Sequence, residues 1–285
     1  MTDAAEFTVK FWGTRGSIAC PGPETVRFGG NTTCFEIRVG GRLLIIDGGT
    51  GLRPLGKVLA EERPKEVDLF FTHTHFDHVC GVPFFAPAYM KGTRLRFHAG
   101  HLLPETTLKD TLCNLMIAPL FPVPIHVFTE CQFQDFRVGV EIRPAPGVRL
   151  TTCPLNHPNG ACGYRIDHAG HSVCIITDTE HVEGELDRRV VEFVRDADVM
   201  IYDAMFTDTE YRHHVGWGHS TWQQALKVAD AARVGQVVLF HHSPDHDDRA
   251  MAAIEREAAA ARPNTIAARE GMVLVPGEIA EPVDP

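Results

Sequence analysis

The chain has 285 residues, 44% hydrophobic and 22% charged, which excludes a disordered or collagen-like chain and is enough to bury a substantial core. Its formal net charge of −10 excludes broad passive binding to a nucleic-acid backbone or an anionic membrane, because both need clustered Lys and Arg. No apolar run approaches membrane-spanning length, and Met1-Thr2-Asp3-Ala4-Ala5-Glu6 carries acids where a signal peptide needs basic then apolar residues, so a cytoplasmic protein with no membrane partner is expected.

In chain order, a first strand is expected over 7–12, followed by Gly13-Thr14-Arg15-Gly16-Ser17, a turn whose glycines let backbone amides approach a ligand. Gly29-Gly30-Asn31-Thr32 is a second such turn. Arg15, Asn31 and Thr32 are candidates for substrate contacts, although turn formation explains Asn31 almost as well. A hairpin follows over 33–39 and 42–46 around Gly40-Gly41, then Asp47 and a helix over 52–61. Asp47 caps that helix or holds a ligand histidine by its free N–H. The run 69–71 is a strand, and Gly81-Val82-Pro83-Phe84-Phe85 behind it reads as core.

Between 94 and 149 we expect a strand over 94–98, a helix over 103–117 and short proline-punctuated strands through 140–143, an insertion walling one side of a cleft. His101 and His126 have no partners nearby in sequence there. The second half has a rhythm: apolar runs over 173–177, 199–202 and 237–240 lead into Asp178, Asp203 and His241. Helical spacing over 183–194, 221–232 and 248–261 supplies covering helices. With no linker, low-complexity segment or repeat, 1–285 reads as one domain ending in a loose tail over 282–285. The eight cysteines form no C-x-x-C pair and read as reduced thiols.

The apolar run into Phe71 ends in Thr72-His73-Thr74-His75-Phe76-Asp77-His78, four potential metal ligands within six residues. Residues two apart on an extended segment point the same way, so His73 and His75 can grip one ion. Asp77 and His78 turn elsewhere and offer the carboxylate and imidazole that a second ion needs. Each residue alone has an ordinary reading, as a strand-end histidine or a helix cap; the cluster of four does not. Cys80 packs near this site or approaches the ions.

The His-x-His-x-Asp-His pattern after an apolar strand resembles the signature of the metallo-β-lactamase fold superfamily. His157, ahead of Gly163-Tyr164-Arg165-Ile166, and Asp178 and His241 are similar to that family's later ligands, with His242 competing for the role of His241. The resemblance implies an α/β fold, a four-layer αββα sandwich. It implies one ion on His73, His75 and His157, another on Asp77, His78 and His241, and Asp178 between them. It also favours the ligand-holding role for Asp47. Asp203 followed by Gly218-His219-Ser220-Thr221 resembles the ribonuclease Z branch and related phosphodiesterases, where the histidine supports the leaving group and the acid orients it. Asp203 stands where ribonuclease Z has a longer Glu. The glycine-rich basic arm with which ribonuclease Z grips transfer RNA is not found, which disfavours a large nucleic acid as substrate. Phe11 to Ser17 and His241 to Asp248 look like a bacterial group of small superfamily hydrolases, in which Asp245 and His246 line the cleft or simply start a helix.

The expected function is therefore a metal-dependent hydrolase with two divalent ions, zinc first and manganese or iron as alternatives. Its substrate would be a small nucleotide-type or cyclic phosphodiester, attacked by hydroxide formed from a metal-bound water. Asp77, His219 and Asp203 are the expected catalytic residues, and a homodimer is compatible with the sequence. The rival readings are a thioester or lactone hydrolase on the same metal pair, and a non-hydrolytic di-iron redox or sensor protein.

Overall fold

The computed structural model describes residues 7–281, so the acidic start over 1–6 and the tail over 282–285 lie outside the described residues. Two seven-stranded sheets face one another. The first contains β1 (Phe7–Gly13), β2 (Cys34–Val39), β3 (Arg42–Ile46), β4 (Glu66–Phe71), β5 (Arg94–Ala99) and β6 (Cys131–Asp135) in that order. The second contains β7 (Glu141–Ala145), β8 (Val148–Leu155), β9 (Ala161–His168), β10 (His171–Ile176), β11 (Val199–Asp203), β12 (Gln236–Phe240) and β13 (Thr265–Ala267). The chain then returns to the first sheet, where β14 (Val273–Leu274) pairs antiparallel with β1. In each sheet the earlier strands pair antiparallel and the later ones parallel, from β3 to β6 and from β10 to β13.

Period-two alternation explains the layering. Along β3, Leu44 and Ile46 join the core between the sheets while Leu43 and Ile45 face outward, and all four are buried. The outer face of the first sheet packs on α1 (Leu52–Glu62) and α3 (Leu108–Leu115), a short helix α2 (Phe76–Val79) lying between them in sequence. Leu52, Leu55 and Leu59 sit at helical spacing on the buried stripe of α1, each contributing roughly 1.5–3 kcal/mol by leaving water. The outer face of the second sheet is covered by α4 (Arg188–Phe193), α6 (Trp222–Ala232) and α7 (Asp248–Ala261), with the single turn α5 (Asp208–Tyr211) preceding α6. Small alanines let α6 and α7 approach closely: Ala225, Ala229 and Ala258 are fully buried there. The result is the expected αββα order. No described helix is long and apolar enough to cross a membrane.

Four expectations change. The helix over 183–194 is confined to α4, because Gly184 has a positive φ of 80° and Asp187 caps the later start by accepting from the Arg189 amide. The helix over 103–117 shortens to α3, whose N-cap is Thr107. The stretch from 94 to 149 is also not an insertion beside the fold, since it supplies β5 and β6 to one sheet and β7 to the edge of the other. Phe84, read as core, is 55% exposed, whereas Phe85 is fully buried.

Candidate metal and catalytic site

Parallel strands end along one edge, and residues at or just past their carboxyl ends build the site: Asp47 after β3, Thr72 to His78 after β4, Asp178 after β10, Asp203 closing β11 and His241 after β12. Asp47, Asp178 and His241 all take left-handed backbone conformations (φ 62°, 47° and 60°). This conformation costs a non-glycine residue about 1–3 kcal/mol and persists where packing enforces it. It turns the chain sharply at each strand end.

His73 and His75 follow the strand rather than belonging to it, yet their rings lie 4.5 Å apart, and His157 Nε2 is 3.0 Å from His75 Nδ1. These three histidines offer nitrogens within 4.8 Å of one another. A second group, Asp77, His78, Asp178 and His241, meets the same distance and is entirely buried. His78 Nε2 lies 3.3 Å from Asp77 Oδ2 and 3.3 Å from Asp178 Oδ1, and His241 Nε2 lies 3.3 Å from Asp77 Oδ2. Asp178 faces both groups, its Oδ2 being 3.6 Å from His73 Nε2. His242 points the other way and its Nε2 donates to the Ala268 carbonyl at 2.8 Å, whereas His241 joins the cluster.

The chain holds these groups from behind. Asp47 accepts from the Thr72 amide and hydroxyl at 2.7 and 2.8 Å and pairs with His78 Nδ1 at 2.9 Å, so Nε2 faces the cluster. Asp47 is thus no helix cap. His157 Nδ1 donates to the Gly218 carbonyl at 2.7 Å; a Cβ on Gly218, whose φ is 87°, would strike that ring at 2.2 Å. The Ser17 amide donates to Asp77 Oδ2 at 2.9 Å, so the first glycine-bearing turn serves a carboxylate of the cluster.

Burial by itself disfavours charge on these groups, but their mutual field overrides it. His78 is held well above its ordinary pKa by Asp178, Asp77 and Asp47, and Asp178 well below its own by His241, His78 and His73. Two buried carboxylates among five imidazoles suit divalent cations that accept mixed nitrogen and oxygen ligands. His73 Nε2 and Asp178 Oδ1 are buried with no hydrogen-bond partner, a deficit of about 1–3 kcal/mol each that cations bound at the two groups would remove. The donor set therefore fits a pair of divalent ions.

Beside the cluster, His219 Nδ1 contacts Asp203 Oδ2 at 3.0 Å, so the shorter acid still reaches its partner. Asp203 is fixed by the Thr179 and Met205 amides, each at 3.1 Å. The His219 ring stacks on that of His241 with centroids 4.9 Å apart. Burial lowers the affinity of His219 for its proton, but Asp203, Asp178 and Asp77 outweigh it and push the pKa up to about 9. Ser220 is not the cap of α6: Thr221 accepts from the Gln224 amide, while the Ser220 hydroxyl pairs with His181 Nδ1 at 2.9 Å.

The profile of the β-lactamase superfamily domain matches residues 42–242, which span β3 through His242. The chain is 35% identical over 252 residues to a ribonuclease Z from Crocosphaera subtropica, covering 72% of this chain and 78% of that one. It is 31% identical over 256 residues to a ribonuclease Z from Bacillus subtilis, covering 72% and 80%. This chain belongs to the metallo-β-lactamase superfamily, in the branch that includes ribonuclease Z. It is a metal-dependent hydrolase. Among solved structures, the metallo-β-lactamase fold protein YhfI from Bacillus subtilis superposes with a TM-score of 0.70 at 18% identity, covering 95% of this chain and 100% of that one, a likeness of fold.

Sequence reasoning about this hydrolase missed Glu180. Its carboxylate accepts from the Gly216 and Gly218 amides at 2.8 and 2.6 Å, pinning the turn that carries His219 and the carbonyl behind His157. No motif marks Glu180, because its partners are backbone amides 36 and 38 residues away. His101, set aside in sequence, reaches the Thr74 hydroxyl at 3.1 Å beside His73. Three candidates for substrate contact are used by the fold. Arg15 is fully buried and donates to the carbonyls of Gly29, Ser243 and His246; Asn31 binds Glu270; and the Thr32 hydroxyl accepts from the Thr50 amide. His246 pairs with Glu210 at 2.8 Å, while Asp245 is exposed ahead of Asp247, the cap of α7.

The hold of Asp47 on His78 gives a test. Asp47→Asn keeps a similar shape but weakens the acceptor, so metal affinity should fall about 10- to 100-fold. Zinc titration of the metal-free protein measures this; an unchanged affinity with a lowered melting temperature would reduce Asp47 to a purely structural role.

Proposed function

We propose that this hydrolase is a dinuclear phosphodiesterase for a small nucleotide-type or cyclic phosphodiester, with zinc as its metal. The observation that carries the reading is the His219–Asp203 pair, an imidazole placed beside the metal cluster but engaged through Nδ1 with an acid at 3.0 Å. In this reading His73, His75 and His157 hold one ion, Asp77, His78 and His241 the other, and Asp178 both. Bound there, the ions would offset charge on the phosphoryl oxygens and acidify a water from about 15.7 towards neutrality. Asp203 holds the Nδ1 proton of His219 and fixes the ring, leaving Nε2–H to protonate the departing alkoxide. Asp77, held by the Ser17 amide, keeps its carboxylate in one orientation towards the cluster and the attacking water. The ribonuclease Z relatives support phosphodiester chemistry, and the net charge of −10 supports a small substrate over a long polyanion.

A hydrolysis screen of metal-replete protein tests the reading. Activated phosphodiesters and cyclic nucleotides should be cleaved far faster than a β-lactam, a thioester or a lactone. Efficient thioester or lactone cleavage with every phosphodiester untouched would overturn the assignment while leaving the metal pair intact.

A further inference from the structure

A cavity of about 480 Å³ adjoins the metal cluster through Asp77, and its walls include Ile18, Arg53, Phe76, Cys80 and Phe84. That volume lies within the range of small-molecule sites, roughly 300–1,000 Å³. Ile18, Phe76 and Phe84 are 61%, 65% and 55% exposed, so three large apolar side chains sit in water around one opening. Such a patch of apolar surface left in water marks a binding surface. Arg53 stands exposed on the same cavity and makes no ion pair among the described residues. The lining hydroxyls of Thr32 and Thr50 are already engaged with one another's backbone amides at 2.8 Å.

We propose that this cavity seats the ester arm that stays on phosphorus, and that the arm is an aromatic ring, a nucleobase in a nucleotide-type substrate. The inference rests on the phosphodiesterase reading and adds the arm's chemistry to it. Phenyl side chains with an unpaired guanidinium recognise a flat π-face through stacking and cation–π attraction. With the threonine oxygens already accepting from backbone amides and Ser17 the only other hydroxyl among the described lining residues, the cavity has few groups to read a base edge, so purines and pyrimidines should be accepted alike. Asp77 lines the cavity whereas His219 and Asp203 do not, so the arm seated here is distinct from the one departing at His219.

The test uses the full metal-replete chain and substrates with one common leaving group: methyl p-nitrophenyl phosphate, phenyl p-nitrophenyl phosphate, and the p-nitrophenyl esters of thymidine and adenosine 5′-phosphate. The phenyl and both nucleoside arms should exceed the methyl arm in kcat/KM by about 10-fold or more, with the two nucleosides similar to each other. Phe84→Ala and, separately, Arg53→Ala should raise KM about 5- to 50-fold for aromatic arms and leave the methyl ester unchanged. Metal content and melting temperature of each variant are matched to the parent. Equal rates for methyl and aromatic arms, or equal losses on all esters in both variants, overturn the inference while phosphodiester cleavage stands. Cleavage of none of the esters overturns both.

Discussion

Dialysis against a chelator should lower phosphodiester hydrolysis by about 10³-fold or more, because the ions supply several kcal/mol of transition-state charge stabilisation and about 1.36 kcal/mol is tenfold in rate. Adding zinc back should restore the rate as two equivalents bind per chain, since Asp178 faces both ligand groups. Asp178→Ala should resist rescue. Stability gives a second readout. In the metal-free protein, Asp178, Asp77 and Asp47 hold the pKa of His78 well above its unfolded value. A raised folded pKa on a base contributes stability below the unfolded value, about 6.5, that is lost as pH rises through the folded one. The metal-free melting temperature should therefore fall on the alkaline side, and the metal-loaded protein, with His78 neutral as a ligand, should lack that decline. A chain that reproducibly binds one ion or none under replete conditions would end the dinuclear reading.

What was legible in the sequence follows from the range of the interactions. Four residues of the cluster lie within six positions after one strand, where alternation and residue chemistry speak together, and Asp178, Asp203 and His241 each terminate an apolar run. The layers were legible for the same reason, because buried strands and amphipathic helices carry their period locally. Glu180 was not, since its work is done on the amides of a turn that only the fold brings near. Arg15 misled in the opposite direction: a cation between two glycines in a turn resembles a phosphate contact, and only the tertiary structure shows its guanidinium enclosed by three carbonyls. Phe84 and Phe85 show the limit of composition, as adjacent identical residues where one is core and the other lines an open cavity.

His219→Ala should leave both ions and the fold in place yet lower kcat about 10²- to 10⁴-fold on esters with poor leaving groups, the usual contribution of a positioned acid. Its Nδ1 is engaged with Asp203 at 3.0 Å, and it packs against His241 by its face. A nitrophenolate departs with little help, so the defect should shrink there and grow with the pKa of the leaving group. Asp203→Asn should follow the same trend more mildly, because it removes the charge that keeps His219 protonated while keeping the ring. pH adds an independent arm. An acid catalyst acts below its pKa and is lost above it, so kcat for an alkyl ester should fall on the alkaline side. The midpoint should lie at or below about 9, since bound cations pull the His219 value down from there. That limb should be absent for a nitrophenyl ester and for His219→Ala. If instead the variant only melts earlier, with its rate per metal-loaded site unchanged for alkyl and aryl esters alike, then His219 packs the base of α6 and the proton comes from another group.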